Sequence, residues 1–147
     1  MAFTTDLCAG LAQYLVGVGI GVYNPTGTYQ PTDVAFIIGT VPQDPDSVIC
    51  LTPYALPESS PNPFQADEQL GVQFWLRGAN GDPRPVLDLE NNIYGALHGL
   101  ADVAFGSAFM LLAWRHNDAS MGQDSRGRSQ RVANYYLRVH HPTAHTE

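Results

Sequence analysis

Two cysteines, five histidines and one loop rich in glycine and arginine are the parts of this sequence with the residue types for chemistry. The loop, "MGQDSRGRSQ" from Met121 to Gln130, is open to three readings: a phosphate cradle, a metal loop, or an arm reaching another chain. A phosphate loop of the P-loop kind needs a lysine and a strand-to-helix setting. "GQDSRGR" has no lysine and lies between two strand-like runs. A calcium loop needs oxygen donors at regular alternate positions, which "NDASMGQDS" lacks. Two readings of the loop remain: a polar hairpin kept in water, or charged partners for another subunit in Asp124, Arg126 and Arg128. Cys8 and Cys50 have no CxxC spacing and fall in the middle of regular elements. Each reads as a small buried hydrophobe, since a nucleophile is better presented at an element's end or in a cleft. His140, His141 and His145 sit in the terminal "HHPTAHTE"; zinc wants a fourth donor and a rigid site, and a chain end is a poor scaffold. His98 and His116 stand singly, and no paired carboxylates mark a cleft. The sequence therefore predicts no catalytic, cofactor-binding or metal-ligating residues.

The elements that would position these groups are legible from periodicity. Leu7, Leu11, Tyr14, Leu15 and Val18 recur at helical spacing over 5–18, with Asp6 suited to the positive end of the helix. "VAFIIG" (34–39) and "SVICLTPY" (47–54) are short branched runs that predict strands. Residues 55–69, with Pro57, Pro61 and Pro63, predict a long extended loop. "LGVQFWLRG" (70–78) alternates as a strand does. Asp82 and Pro83 open a second helix running to about residue 101, striped by Val86, Leu89, Ile93, Leu97 and Leu100. Residues 107–116 and 131–140 predict two more strands, with the polar loop 117–130 between them.

The expected fold is one α+β domain spanning 1–147, an α/β two-layer arrangement of order α-β-β-β-α-β-β. Its mixed, mostly antiparallel five-stranded sheet has two helices packed on one face. The run 70–78, helix, 107–116 is a crossover and should make those strands parallel. Little chain remains to cover the other face. On that face alternation puts Gln73, Trp75 and Arg77 from one strand and Asn134, Tyr136 and Arg138 from another. Trp, Tyr and Arg are enriched in interface cores. Two occupants are open: the chain's own long loops, or a second copy, which is the favoured expectation. In 107–116, Met110, Leu112 and Trp114 alternate with Phe109, Leu111 and Ala113, so both faces look buried.

Composition agrees with a partnered protein. Charged residues are 14%, against roughly 25% in soluble domains. The net charge of −7 argues against general nucleic-acid binding. All seven basic residues are Arg, as in GC-rich coding. Residues 1–114 hold two Arg and eleven acids; 115–147 hold five Arg and three acids. These parts could attract each other between copies or within one chain. No signal-like start and no apolar run long enough to cross a membrane is visible, which predicts a soluble intracellular product without a membrane partner.

The segments "LAQYLVGVGIGVYNPTGTY", "VPQDPDSVICLTPY", "GVQFWLRG", "DPRPVLDLENNIYGALHGL" and "MGQDSRGRSQRVANYYLRVHHP", in that order, resemble the small minor capsid or tail terminator proteins of long-tailed bacteriophages of high-GC hosts. The likeness spans about 5–141, carried by Pro42, Pro45, Tyr54, Gln73, Arg77, Leu97-His98-Gly99, Gly122, Asp124, Gly127, Arg128 and Asn134 to Tyr136. The resemblance implies a non-enzymatic virion protein of the tail-neck region, assembled in the host cytoplasm. It implies a homo-hexameric ring that caps the tail tube protein and stops its polymerisation. That ring would offer a head-completion or neck protein its docking surface and let DNA pass through its lumen without specific binding. The subunit-interface residues expected are Gln73, Trp75, Arg77, Gln123, Asp124, Arg126, Arg128, Asn134, Tyr136 and Arg138. Rival readings are another neck component such as a head-closure protein, or the tube subunit itself. Outside phage architecture they are a small Cys/His enzyme, or a ligand-binding domain with the Pro-rich loop as lid.

Overall fold

The computed structural model describes residues 3–57 and 66–146. Along the chain run α1 (Phe3–Gly17), β1 (Ala35–Ile38), β2 (Val48–Ala55), β3 (Asp67–Arg77), α2 (Arg84–Leu97), β4 (Ala101–Phe105), β5 (Ala108–Gln123) and β6 (Ser129–His140). The strands form one six-stranded sheet in the order β1-β2-β3-β6-β5-β4. The fold is α+β, as expected, with one strand more than the predicted five.

α1 forms because Leu7, Leu11 and Leu15 return every four residues, and all three are fully buried with Cys8 and Ala12. Its Gly10 is required: a Cβ there would lie 2.3 Å from Cβ of Phe105, so the helix backbone lies directly on β4. The Asp6 carboxylate accepts from the Ser107 backbone N–H at 3.1 Å and hydroxyl at 2.6 Å, tying the β4–β5 turn to the helix start. α2 buries Val86, Ile93 and Leu97. It starts later than its pattern suggests, because Asp82 grips Arg84, accepting from its backbone N–H at 3.0 Å, while Pro83 takes the cap position. It ends at Leu97, where Gly99 turns the chain with φ +89°.

Three expectations on topology are corrected. β4 occupies residues read as helix end and connection; the Gly106-Ser107 turn closes it onto β5, with Phe105 facing Ala108. β3 and β5 run in the same direction but are not neighbours, because β6 lies between them, antiparallel to both. β1 and β2 are parallel, where every pair outside the crossover was expected to be antiparallel, and segment 39–47 carries the chain back to the start of β2.

The polar loop predicted over 117–130 is mostly strand, and the β5–β6 turn shrinks to 124–128. Polar strand residues there answer one another across the pair: Asn134 donates to Asn117 at 2.8 Å, and Arg131 pairs with Asp118. Of the proline-rich loop, Pro57 is described, whereas Pro61 and Pro63 lie outside the described residues.

α1 packs on β1, β2, β4 and β5, and α2 on β3, β5 and β6. The core between helices and sheet holds Phe36, Ile49, Leu51, Val72, Phe74, Leu76, Met110, Tyr135 and Leu137. Each such side chain contributes about 1.5–3 kcal/mol by leaving water.

Candidate functional site

The side of the sheet facing away from the helices carries an aromatic and amide ladder. β3 pairs with β6 so that Gln73 faces Asn134 and Gly71 faces Tyr136. β5 pairs with β6 so that Trp114 faces Tyr136 and Leu112 faces Arg138. Tyr54 of β2 lies flat over Gly71, where a Cβ would come within 2.2 Å of its ring, and its hydroxyl reaches Asn134 Oδ1 at 3.1 Å. Asn134 passes the chain on to Asn117. Trp75 Nε1–H donates to Gln130 Oε1 at 3.0 Å. The Tyr136 ring stacks on His116 with centroids 4.3 Å apart and meets Trp114 edge-on at 6.1 Å. The ladder holds Trp75 and Tyr136 half-buried and leaves Phe109, Leu112 and Tyr54 36–40% exposed. Their ring faces are fixed without a loop of the described residues closing over them, a preorganised state that lowers the entropy cost of binding.

Strand 107–116, expected to be buried on both faces, instead leaves Phe109 and Leu112 exposed on this one. A β-bulge between Met110 and Leu112 shifts the phase of β5, so Met110 and Ala113 enter the core while Leu112 and Trp114 turn outward with Phe109. Trp114, His116, Leu112 and Tyr54 thus join the candidate face, and nothing in the sequence pattern marks the bulge.

Two of the expected interface arginines instead turn into their own chain. Arg77 is 3% exposed. Its Nε donates to Asp46 O at 2.7 Å, and its Nη2 to Pro42 O at 2.8 Å and Pro45 O at 2.9 Å. Burial, and then the neighbouring Arg128 cation, lower its pKa. Arg128 is equally buried; it donates to Gln43 O at 2.8 Å and Asp46 Oδ1 at 3.0 Å and pairs with Asp124 at 2.8 Å. Asp124 also accepts the backbone N–H groups of Arg128 and Arg126. The Arg128 N–H is the main cause that holds its carboxyl below the usual range. Together the two guanidinium groups staple segment 42–46 to the end of β3 and the 124–128 turn. All of Arg128's guanidinium nitrogens, and Nε and Nη2 of Arg77, are engaged by carbonyl and carboxylate oxygens of the same chain. At the turn tip Arg126 stays half-exposed, 3.6 Å from Asp44, beside exposed Gln123 and Met121.

Most of the arginine charge after residue 114 is met within the chain. Of the five arginines after residue 114, four pair within the chain: Arg115 with Glu90, Arg126 with Asp44, Arg128 with Asp46 and Asp124, and Arg131 with Asp118. Arg138 is exposed and makes no ion pair or hydrogen bond among the described residues.

The groups considered for chemistry are accounted for structurally. Cys8 is fully buried, and burial pushes its thiol up to about 11; burial also raises Cys50. Both thiols are free. A thiol so raised is a poor nucleophile near neutral pH. His98 Nδ1 accepts the Arg115 N–H at 3.0 Å. His140 and His141 lie 2.9 and 2.7 Å from Asp67 and Glu68, and Phe3 stacks on His141 at 3.7 Å; beyond them 143–146 make hydrogen bonds only with one another among the described residues. Among the described residues no three His, Cys, Asp or Glu side chains gather as a metal site. No described helix is long and apolar enough to cross a membrane. The lid reading of 55–69 falls largely on 58–65, outside the described residues.

A family model described as bacteriophage tail terminator protein matches residues 14–140. Compared with curated proteins, the sequence has no match. Among solved structures, a chain of the virion of a native gene transfer agent particle is similar, with a TM-score of 0.67 at 15% identity over 94% of this chain and 97% of that one. At that identity the likeness establishes a shared fold.

Proposed function

Since the chain belongs to the bacteriophage tail terminator protein family, a structural and non-enzymatic component of the virion, we propose that it forms a homo-hexameric ring on the end of the tail tube. The ring ends tube polymerisation in the tail-neck region, gives a head-completion or neck protein its docking surface, and leaves a lumen for DNA. Assembly takes place in the host cytoplasm.

The observation that carries this reading is the outer sheet face: an ordered aromatic and amide ladder that the two helices do not cover. Large ordered aromatics with satisfied polar tips are the residues that anchor subunit contacts. Gln73, Trp75, Asn134, Tyr136 and Arg138 therefore remain assigned to self-association. Arg77, Asp124 and Arg128 act one step behind, fixing the 124–128 turn so that Gln123 and Arg126 are presented as an arm to the neighbouring subunit or the tube. The acidic net charge suits a lumen wall that does not hold DNA phosphates.

Negative-stain microscopy of the pure chain, alone and mixed with tail tubes, tests the proposal. Single rings that also sit on tube ends are expected. Long stacks would identify a tube subunit instead, and monomers that ignore tube ends would refute the reading.

A further inference from the structure

The outer sheet face and the helix layer carry opposite, unmatched features. Around Arg138 the outer face presents Leu112 at 40% and Phe109 at 37% exposure, with Trp114 and Tyr136 beside them. Arg138 itself is unpaired among the described residues. On the opposite side of the molecule, a groove of about 540 Å³ separates the end of α1 from α2. It is lined by Val18, Gly19, Ile20, Asn91, Gly95 and Ala96. Small residues at Gly19, Gly95 and Ala96 leave room for side chains from outside, and Val18 is 50% exposed. One turn before this lining stands Asp88, exposed and without an ion pair or hydrogen bond among the described residues. Arg84, four residues earlier, is engaged by Asp82 at 2.8 Å. So, among the described residues, the ridge bears a cation and the groove's border an anion, neither of them in an ion pair within 4 Å.

We infer that the ring is built by the outer sheet face of one copy seating its Leu112–Arg138 ridge in the α1–α2 groove of the next copy, with Arg138 reaching Asp88. This deepens the proposed ring and rests on it. Two different patches meeting head to tail give a heterologous contact, which closes into a ring when the rotation per subunit allows. The apolar ridge fills the groove while the charge pair fixes register, which is how charges act best at interfaces.

The test measures ring assembly by native mass spectrometry for the wild type, Arg138→Glu, Asp88→Arg and the double variant Arg138→Glu/Asp88→Arg. Asp102→Arg, which reverses an exposed acid of β4, is the control. Each single charge reversal at 138 or 88 should raise the concentration for half-assembly about tenfold or more. The double variant should recover it, and Asp102→Arg should behave as wild type. An oxidised Leu112→Cys/Ala96→Cys double variant should cross-link copies into a ladder up to the full ring. The inference is overturned if the singles assemble normally, if the double fails to recover, or if rings form without that cross-link. Intact rings that lose tube binding would assign the face to the tube and overturn it equally. A wild type without rings would refute the underlying proposal itself, so the two failures are distinguishable.

Discussion

The two faces of the sheet are made from the same strands, yet they solve different problems. On the helix side of β3, Val72, Phe74 and Leu76 are fully buried; one position along, Gln73 and Trp75 stay half-buried and make side-chain or register contacts with β6. The inner face derives its stability from apolar area and close packing. The outer face derives its order from a ladder of hydrogen bonds and stacked rings, which hold aromatics in place without closing over them. Where order is achieved without closure, a side chain is available to another molecule. A surface residue that matters for assembly should therefore cost the monomer little.

That contrast can be broken by substitution. The largest effect on folding is expected from Phe74→Ala on the inner face, about 3–5 kcal/mol, read from chemical denaturation of the monomer. A loss below about 1 kcal/mol would mean that the inner face is not the core it resembles.

Arg128→Ala comes next, at about 3 kcal/mol, because it leaves the carboxylates of Asp124 and Asp46 and the Gln43 carbonyl without their cation. Faster amide exchange over 42–46 and 124–128 would report the lost staple, and unchanged exchange would contradict it.

Asp124 sharpens the same point through pH. Its carboxyl is held below the ordinary value, so its stabilisation is complete above the ordinary carboxylate range. It disappears as pH falls through roughly 4 and then through its own lower value. Melting temperatures of wild type and Asp124→Asn should differ at neutral pH and converge in acid; a constant gap would remove Asp124 from the account.

The smallest effect on folding belongs to Arg126→Ala, within about 0.5 kcal/mol of wild type by denaturation. In the proposed arm it nonetheless weakens attachment to tube ends, visible as fewer capped tubes by microscopy. Full capping would leave the arm without support.

Sequence legibility followed how local the physics is. α1 and the inner face of β3 were readable because burial imposes strict periods on Leu7, Leu11, Leu15 and on Val72, Phe74, Leu76. β4 was missed as a short run after a helical stripe, although Gly106-Ser107 is a hairpin signal. Residues 117–123 read as loop because their polarity is met by cross-strand partners such as Asn134 and Arg131, which only the fold brings together. Trp75, Tyr136 and Arg138 could be placed on one face from alternation alone. The inward turn of Arg77 and Arg128 could not, since it depends on segment 42–46 crossing back to form a parallel β1–β2 pair.

The central claim is most directly tested by light scattering of the wild type and of Trp75→Ala/Tyr136→Ala at micromolar concentration. The wild type should have the mass of a ring; the variant should have that of a folded monomer, with a melting temperature close to the parent's. A monomeric parent, or a variant that still forms the ring, would contradict the assignment of this face to a second copy.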